Sequence, residues 1–423
     1  MQGDGSMATN RRVFLSSALT LATSFGRSQS AATNGGRDAC ASSTGGSVVE
    51  PTTDQIKTTV QGYAPPAGVG AAVGVASPSF GAKIVCIGSL DDQSGNSMAF
   101  TTDTPFEIAS ITKTFTASIY ESFVLRGRIR SSDTLGRFIR PEINSKIQAI
   151  PLIDLANYTS GLPADNVNFD SWPSSAMGDY TDSEMFSYLR NPPFAVGGTG
   201  QVETYSNLGF SLLAVALEAA AREDGFGPLC CKQILGPLGM VKTQPYGGRI
   251  GGQLPRGFDT DGNVASPGWA PFPAYDGAGA LISTPNDMMT WLQFNMGIIQ
   301  AGSLSDILPV TQAPAAPGAT LAAGGASGIS ADSVPGLGWF ISKISNESSV
   351  ELTVIQKNGD LAGFSSQMAF LPGNGCTTSN AGIFVLTNWQ NSTAADNIAY
   401  DLLFAMAGLQ PPTDKSRYPR APG

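Results

Sequence analysis

Strand-like runs lie at both ends of this chain, and helical periodicity fills the space between them. Gly68–Ala76 and Ala82–Gly88 flank a Pro-Ser-Phe-Gly turn, the signature of a hairpin. Some 250 residues later, β-branched and apolar runs return at Gly338–Ile344, Val350–Gln356, Ser365–Leu371 and Ala381–Leu386, followed by a closing helical pattern over Ala394–Met406. A two-stranded hairpin is not stable alone, so it must join the later strands. The pattern predicts an α+β fold in which one antiparallel sheet is built from both chain ends and flanked by helices, with a mostly helical domain inserted.

The boundaries follow from composition. Asn10-Arg11-Arg12-Val13-Phe14-Leu15 begins an apolar stretch to Phe25, which is followed by small residues. Residues 1–31 therefore read as a twin-arginine-like export signal, too short to span a bilayer, and the mature chain is expected to be periplasmic or secreted without stable membrane insertion. Residues 32–50 are a Gly/Ser/Thr/Ala linker. Residues 51–105 and 338–410 form the expected sheet domain, 106–337 the helical domain and 411–423 a tail. Within them, 53–62 reads as a helix capped by Thr53 or Asp54, and Leu208–Ala221 as an apolar helix. Thr284-Pro-Asn-Asp287 opens another helix, and 311–337 reads as a long loop.

The composition then narrows the chemistry. At 423 residues and 42% hydrophobic content the chain can bury a large core. A net charge of -9 with a pI near 4.6 argues against a nucleic-acid partner. The chain has no histidine, which removes every Ser-His-Asp, Cys-His and histidine-zinc arrangement. Five cysteines at irregular spacing make neither a disulfide framework nor a metal site. Any hydrolytic chemistry must take Lys, Tyr or a carboxylate as its base, and neither metal nor organic cofactor is implied.

One stretch meets that condition. Ile111, Phe115, Ile119 and Phe123 recur every four positions, so 106–123 reads as an amphipathic helix stopped near Gly127, with Ser110 in its first turn. Lys113, three residues on, lies on the same face. A lysine held among apolar groups favours its neutral amine and can act as a base toward the serine hydroxyl. Amides at the helix start can face a developing oxyanion. Of all the lysines, only Lys113 has serine three residues before it.

Two further pieces stand downstream. Tyr205 and Asn207 flank Ser206 where a loop enters the apolar helix, and Tyr205 is the only tyrosine with asparagine two positions on. A phenol beside two ammonium groups is expected to have a lowered pKa, which makes Tyr205 a candidate base. Lys357-Asn358-Gly359 ends a predicted strand, where a cation and a residue without a side chain can meet a substrate.

In this order, Ser-x-x-Lys at 110–113, Tyr-x-Asn at 205–207 and Lys-x-Gly at 357–359 resemble the serine β-lactamase and penicillin-binding-protein family. The tyrosine in second place resembles its class C branch and the low-molecular-weight D-alanyl-D-alanine carboxypeptidase/endopeptidase relatives. Tyr158-Thr-Ser-Gly-Leu-Pro163, Gly236-Pro-Leu-Gly-Met240 and Gly359-Asp-Leu-Ala-Gly-Phe-Ser365 resemble the same branch. The resemblance covers about residues 50–408 and implies the β-lactamase/transpeptidase-like fold.

It further implies that Ser110 is acylated, that Lys113 and Tyr205 are a coupled base pair, and that Asn207 binds the substrate amide. Lys357, with Asn358 and Gly359, would meet the substrate carboxylate, and the backbone amides of Ser110 and Asp360 would form the oxyanion hole. Two positions depart from the pattern: Asn358 stands where threonine is usual, and Asp360 where small residues are, so that its carboxylate could repel an anionic substrate. The first functional reading is a class C-like β-lactamase. The alternatives are a periplasmic D-alanyl-D-alanine carboxypeptidase/endopeptidase acting on peptidoglycan, an esterase on the same scaffold, and a non-catalytic β-lactam or peptidoglycan sensor. The expected partner is a small-molecule β-lactam or a peptidoglycan stem peptide, met by a monomer.

Overall fold

The computed structural model describes residues 48–139, 143–166, 180–245, 254–265, 273–316, 318–321, 329–331, 333–372 and 380–419. The export signal, most of the linker, Cys40 and Cys376 lie outside the described residues.

In chain order the elements used below are α1 (Thr53–Gly62), β1 (Gly70–Ser77), β2 (Gly81–Gly88), β3 (Phe106–Glu107), α2 (Thr112–Leu125) and α3 (Asn207–Ala221). They continue with β4 (Gln244–Pro245), α4 (Asp276–Gly279), β5 (Leu281–Ser283), α5 (Pro285–Asn295) and β6 (Ser333–Pro335). The chain closes with β7 (Phe340–Ser345), β8 (Glu351–Leu361), β9 (Phe364–Phe370), β10 (Gly382–Thr387) and α6 (Ser392–Met406).

The main sheet has seven strands in the order β6-β7-β8-β9-β10-β1-β2. Every neighbouring pair is antiparallel. The chain ends meet where Ala71 pairs Thr387 and Ala76 pairs Gly382, as the two-ended strand pattern requires. Both faces of this junction are buried, and the period of two sorts the side chains. Val73, Val75, Ile383 and Val385 pack with Ile56 and Val60 of α1 and Leu402, Leu403 and Phe404 of α6. Ala72, Ala76, Phe384 and Leu386 face the larger core of the inserted helices, including Trp291 and Leu292 of α5. A small sheet, β3-β5-β4, sits among those helices. Residues Gly45–Gly423 form one compact unit.

Several local expectations shift. Thr52, not Thr53 or Asp54, caps α1 in a reciprocal box with Gln55. Thr284 caps α5 with Pro285 in its first turn. Part of the expected 311–337 loop is the edge strand β6, whose Ser333 hydroxyl bonds that of Ser342, 2.7 Å away on β7.

The strand before Lys357 runs on through Lys357, Asn358, Gly359 and Asp360 to Leu361, because β9 supplies partners to the end. The helix expected from 106 begins only at Thr112. Phe106–Glu107 is claimed by β5, whose Ser283 and Ile282 pair with it. Nor does α2 have one buried face: Thr112–Phe123 is buried throughout. Tertiary packing surrounds it, and Thr114 donates to Ile111 O and Ser118 to Thr114 O, both 2.7 Å, whereas Ser122 Oγ is buried without a hydrogen-bond partner among the described residues.

Candidate active site

The nucleophile turn is set by its two neighbours. β3 delivers the chain into a tight turn over Ala109–Ile111, and Ala109 takes the left-handed conformation at φ 47°. For a residue with a Cβ that costs about 1–2 kcal/mol, a strain characteristic of functional sites. The first bond of the turn runs from Ile111 N–H to Ile108 O at 3.2 Å. Ser110 N–H precedes it, among the amides that a helix start leaves without an intrahelical acceptor. β8 lies directly against this turn. A Cβ on Gly359 would stand 2.4 Å from Ile108 O and 2.8 Å from the Ala109 Cβ, so only glycine permits the approach. Ser366 Oγ secures it by donating to Ile108 O at 2.9 Å.

Lys113 is fully buried, and its Nζ has three close oxygens: Ser110 Oγ at 2.8 Å, Asn207 Oδ1 at 2.6 Å and Ala278 O at 2.7 Å. Burial pulls its pKa well below the usual lysine range. Lys357 pushes it the same way, while Asp165 opposes them. A neutral amine has two N–H groups and one lone pair. Asn207 Oδ1 and Ala278 O can only accept, so they take both N–H groups and the lone pair falls toward Ser110 Oγ. Ala278 O is held in place because Thr116 Oγ1 on α2 donates to the adjacent Gly277 O at 2.6 Å.

Tyr205 Oη lies 2.7 Å from Ser110 Oγ on the other side and donates to it. Its ring stacks on Tyr158 at 5.6 Å and 16°, and Tyr158 in turn stacks on Phe340 of β7. The expected lowering of the Tyr205 pKa is not found. Burial raises it, with a smaller contrary effect from the Ser110 hydrogen bond. The physical reason is placement: Lys113 and Lys357 Nζ stand 4.9 and 5.3 Å from the ring centre, over the face of a phenol from which water has been removed. Tyr205 is a neutral proton donor to Ser110 in the resting site.

Lys357 is also fully buried, and burial brings it down to about 7 against the field of Asp396. Its Nζ donates to Asn358 O at 2.6 Å and to Asn358 Oδ1 at 3.1 Å. Asp360 alternates to the opposite side of β8 from Lys357 and Gly359. There it accepts from Ser365 Oγ at 2.7 Å, and Ser365 Oγ takes the Asn391 N–H at 2.9 Å. Its carboxyl is thus held to β9 and does not oppose an anion at Lys357.

β7 leaves β8 at the Phe340–Gln356 pair, so Lys357–Leu361 has β9 on one side and no strand of the main sheet on the other. An extended ligand can add along such an edge.

The expected site residues Ser110, Lys113, Tyr205, Asn207, Lys357, Asn358, Gly359 and Asp360 therefore converge from three segments. Three contributors had no motif of their own: the left-handed Ala109, the Ala278 carbonyl, and Asp165, whose Oδ2 accepts from Asn207 Nδ2 at 3.2 Å. A backbone carbonyl carries no sequence signal. Asp165 follows the Tyr158–Pro163 stretch by two residues and could have been found there. Among the described residues, no group of acids or cysteines could hold a metal ion.

This architecture is that of class C β-lactamases and their transpeptidase-like relatives. It overlays D-alanine carboxypeptidase AmpC from Burkholderia cenocepacia with TM-score 0.62 at 21% identity, covering 84% of this chain and 100% of that one. A class C β-lactamase in complex with cefoxitin overlays with TM-score 0.65 at 18% identity, covering 84% and 99%. A model of the Beta-lactamase family matches residues 67–406, and the chain belongs to that family of serine hydrolases. Among curated relatives, D-alanyl-D-alanine-carboxypeptidase/endopeptidase AmpH of Escherichia coli K12 is 28% identical over 338 residues, 75% of this chain and 80% of its own. A Beta-lactamase of Pseudomonas fluorescens is 31% identical over 146 residues, 34% and 37% of the two chains. Among the described residues, no helix is long and apolar enough to cross a membrane.

Proposed function

We propose that this protein is a serine hydrolase that forms an acyl-enzyme on Ser110 and cleaves the amide of D-alanyl-D-alanine-type peptides outside the cytoplasm. The observation that carries the reading is the Ser110 hydroxyl held between Lys113 Nζ at 2.8 Å and Tyr205 Oη at 2.7 Å. Lys113 takes the hydroxyl proton as Oγ bonds to the carbonyl carbon, and the amides of Ser110 and Asp360 receive the oxyanion. On collapse the C–N bond breaks, the leaving nitrogen takes the Tyr205 proton, and Lys113 returns its proton to Tyr205. Water activated by the same pair then attacks the ester, releasing a carboxylic acid and restoring the Ser110 hydroxyl. Asn207 and Lys357 favour an amide substrate carrying a carboxylate, which argues against the esterase. The intact Ser110, Lys113 and Tyr205 argue against a silent sensor.

The peptide is placed ahead of the β-lactam because the carboxypeptidase/endopeptidase relative aligns over 75% of the chain, whereas the Pseudomonas fluorescens relative aligns over 34%. The second reading, a β-lactamase, rests on the same acylating geometry and differs only in the rate of ester hydrolysis. Intact-protein mass after mixing with benzylpenicillin, followed from seconds to an hour beside D-alanine release from a stem pentapeptide, separates them. A lasting adduct with D-alanine release supports the peptidase. Rapid penicillin loss with little adduct supports the β-lactamase, and neither adduct nor turnover of either substrate removes the proposal.

Tyr205→Phe is expected to lower turnover by about 10²–10⁴, the usual contribution of a positioned proton donor and acceptor. Stopped-flow acylation checks it, and an unchanged rate would leave Lys113 acting alone. Lys357 yields a pH dependence. With its pKa near 7 in the empty site, it is charged below and neutral above, so carboxylate binding is present at low pH and lost as pH rises. KM for a stem pentapeptide is expected to rise above pH 7 by up to about tenfold per unit, while an analogue with its terminal carboxyl amidated stays flat. Equal profiles for the two would remove Lys357 as the carboxylate's partner.

A further inference from the structure

The geometry points to Asp165 as a positioning residue that orients the Asn207 amide and thereby aims the Lys113 lone pair at Ser110. A carboxylate can only accept, so Asp165 Oδ2, 3.2 Å away, binds the NH₂ end of Asn207 and turns its oxygen toward Lys113, 2.6 Å off. That oxygen consumes one N–H of the amine and Ala278 O, at 2.7 Å, consumes the second.

If Asn207 were reversed, its NH₂ would donate to the amine. The lone pair would turn away from Ser110, and an N–H would face the nucleophile instead. The chain Asp165, Asn207, Lys113, Ser110 therefore has one productive direction of donation, set at its acidic end.

The same carboxylate supplies charge. Around Lys113 stand Lys357 from β8, the Tyr205 phenol ahead of α3, and Asp165. Asp165 is the group favouring the ammonium, against burial and Lys357, and Asp396 on α6 acts on Lys357. Of the acids of α3 and α4, Glu218 feels Asp182, Asp276 and Asp224, and Asp276 feels Asp182. Removing the Asp165 charge while keeping its acceptor should thus lower the pH at which Lys113 becomes an available base.

The inference rests on the proposed acylation for its kinetic arm only. Protein labelled with ¹³C at lysine Cε is titrated by NMR, with the Lys113 resonance assigned by its loss in Lys113→Met. In Asp165→Asn, an isosteric change, the Lys113 midpoint should fall by about one pH unit, the size of effect a nearby charge exerts. The acid limb of benzylpenicillin acylation should move with it, while the plateau rate changes less than about threefold. Asp165→Glu, which keeps the charge, should titrate near the wild type. Asp165→Ala, which frees Asn207 to turn, should lose about tenfold or more in plateau rate while Tm falls by no more than a few degrees. An unmoved Lys113 midpoint in Asp165→Asn overturns the inference, as does a plateau rate in Asp165→Ala equal to the wild type. If the midpoint moves but benzylpenicillin never acylates Ser110 in the wild type, the functional proposal fails and the role of Asp165 stands.

Discussion

Ser110→Ala leaves a folded protein that takes no acyl group from benzylpenicillin and hydrolyses neither β-lactam nor stem peptide above background. The change removes one oxygen from a site whose other parts are anchored elsewhere: Lys113 to Asn207 and Ala278, Tyr205 to its stack on Tyr158. Tm should stay within a few degrees, because Lys113 Nζ keeps Asn207 Oδ1 and Ala278 O as partners and only the Tyr205 hydroxyl loses its hydrogen bond to Ser110. Binding of an intact stem peptide should persist, since Lys357, Asn207 and the β8 edge are untouched. Intact-protein mass and isothermal calorimetry read the two halves separately. Activity near the wild-type level would mean that another group is the nucleophile.

Lys113→Met should be nearly as damaging to catalysis and far more damaging to the fold. Methionine matches the buried volume but supplies no base, so acylation should fall by about 10⁴ or more, leaving what the oxyanion amides and substrate binding provide. The substitution also leaves Asn207 Oδ1 and Ala278 O without their donor in a closed interior. Each costs about 1–3 kcal/mol, so Tm should drop by several degrees, unlike in Ser110→Ala. Thermal unfolding beside single-turnover acylation checks both. Preserved acylation would transfer the base role wholly to Tyr205.

The contrast between Lys113 and Tyr205 marks how far local reasoning reaches. For Lys113, three residues of spacing and an apolar neighbourhood suffice to foresee a neutral amine beside a serine, because both effects are local to one turn. For Tyr205 the same reasoning gives the wrong sign. Which end of a phenol faces two amines depends on packing against Tyr158, itself stacked on Phe340, from segments 47 and 135 positions away. Asp360 is similar: its identity suggests a repulsive charge at the cleft, and only its register opposite Ser365 shows where that charge goes.

From sequence alone came the two-ended antiparallel sheet, the absence of any histidine mechanism, and the three motif segments with their reacting side chains. Hydrophobic period and residue chemistry are properties of short stretches, so they survive without coordinates. Tertiary structure alone decided the proton states and directions of donation: the strained Ala109, the Ala278 carbonyl, the Asp165 carboxylate and the β8 edge. These arise from desolvation and from contacts between residues far apart in the chain, and both exist only once the helices have closed over the sheet.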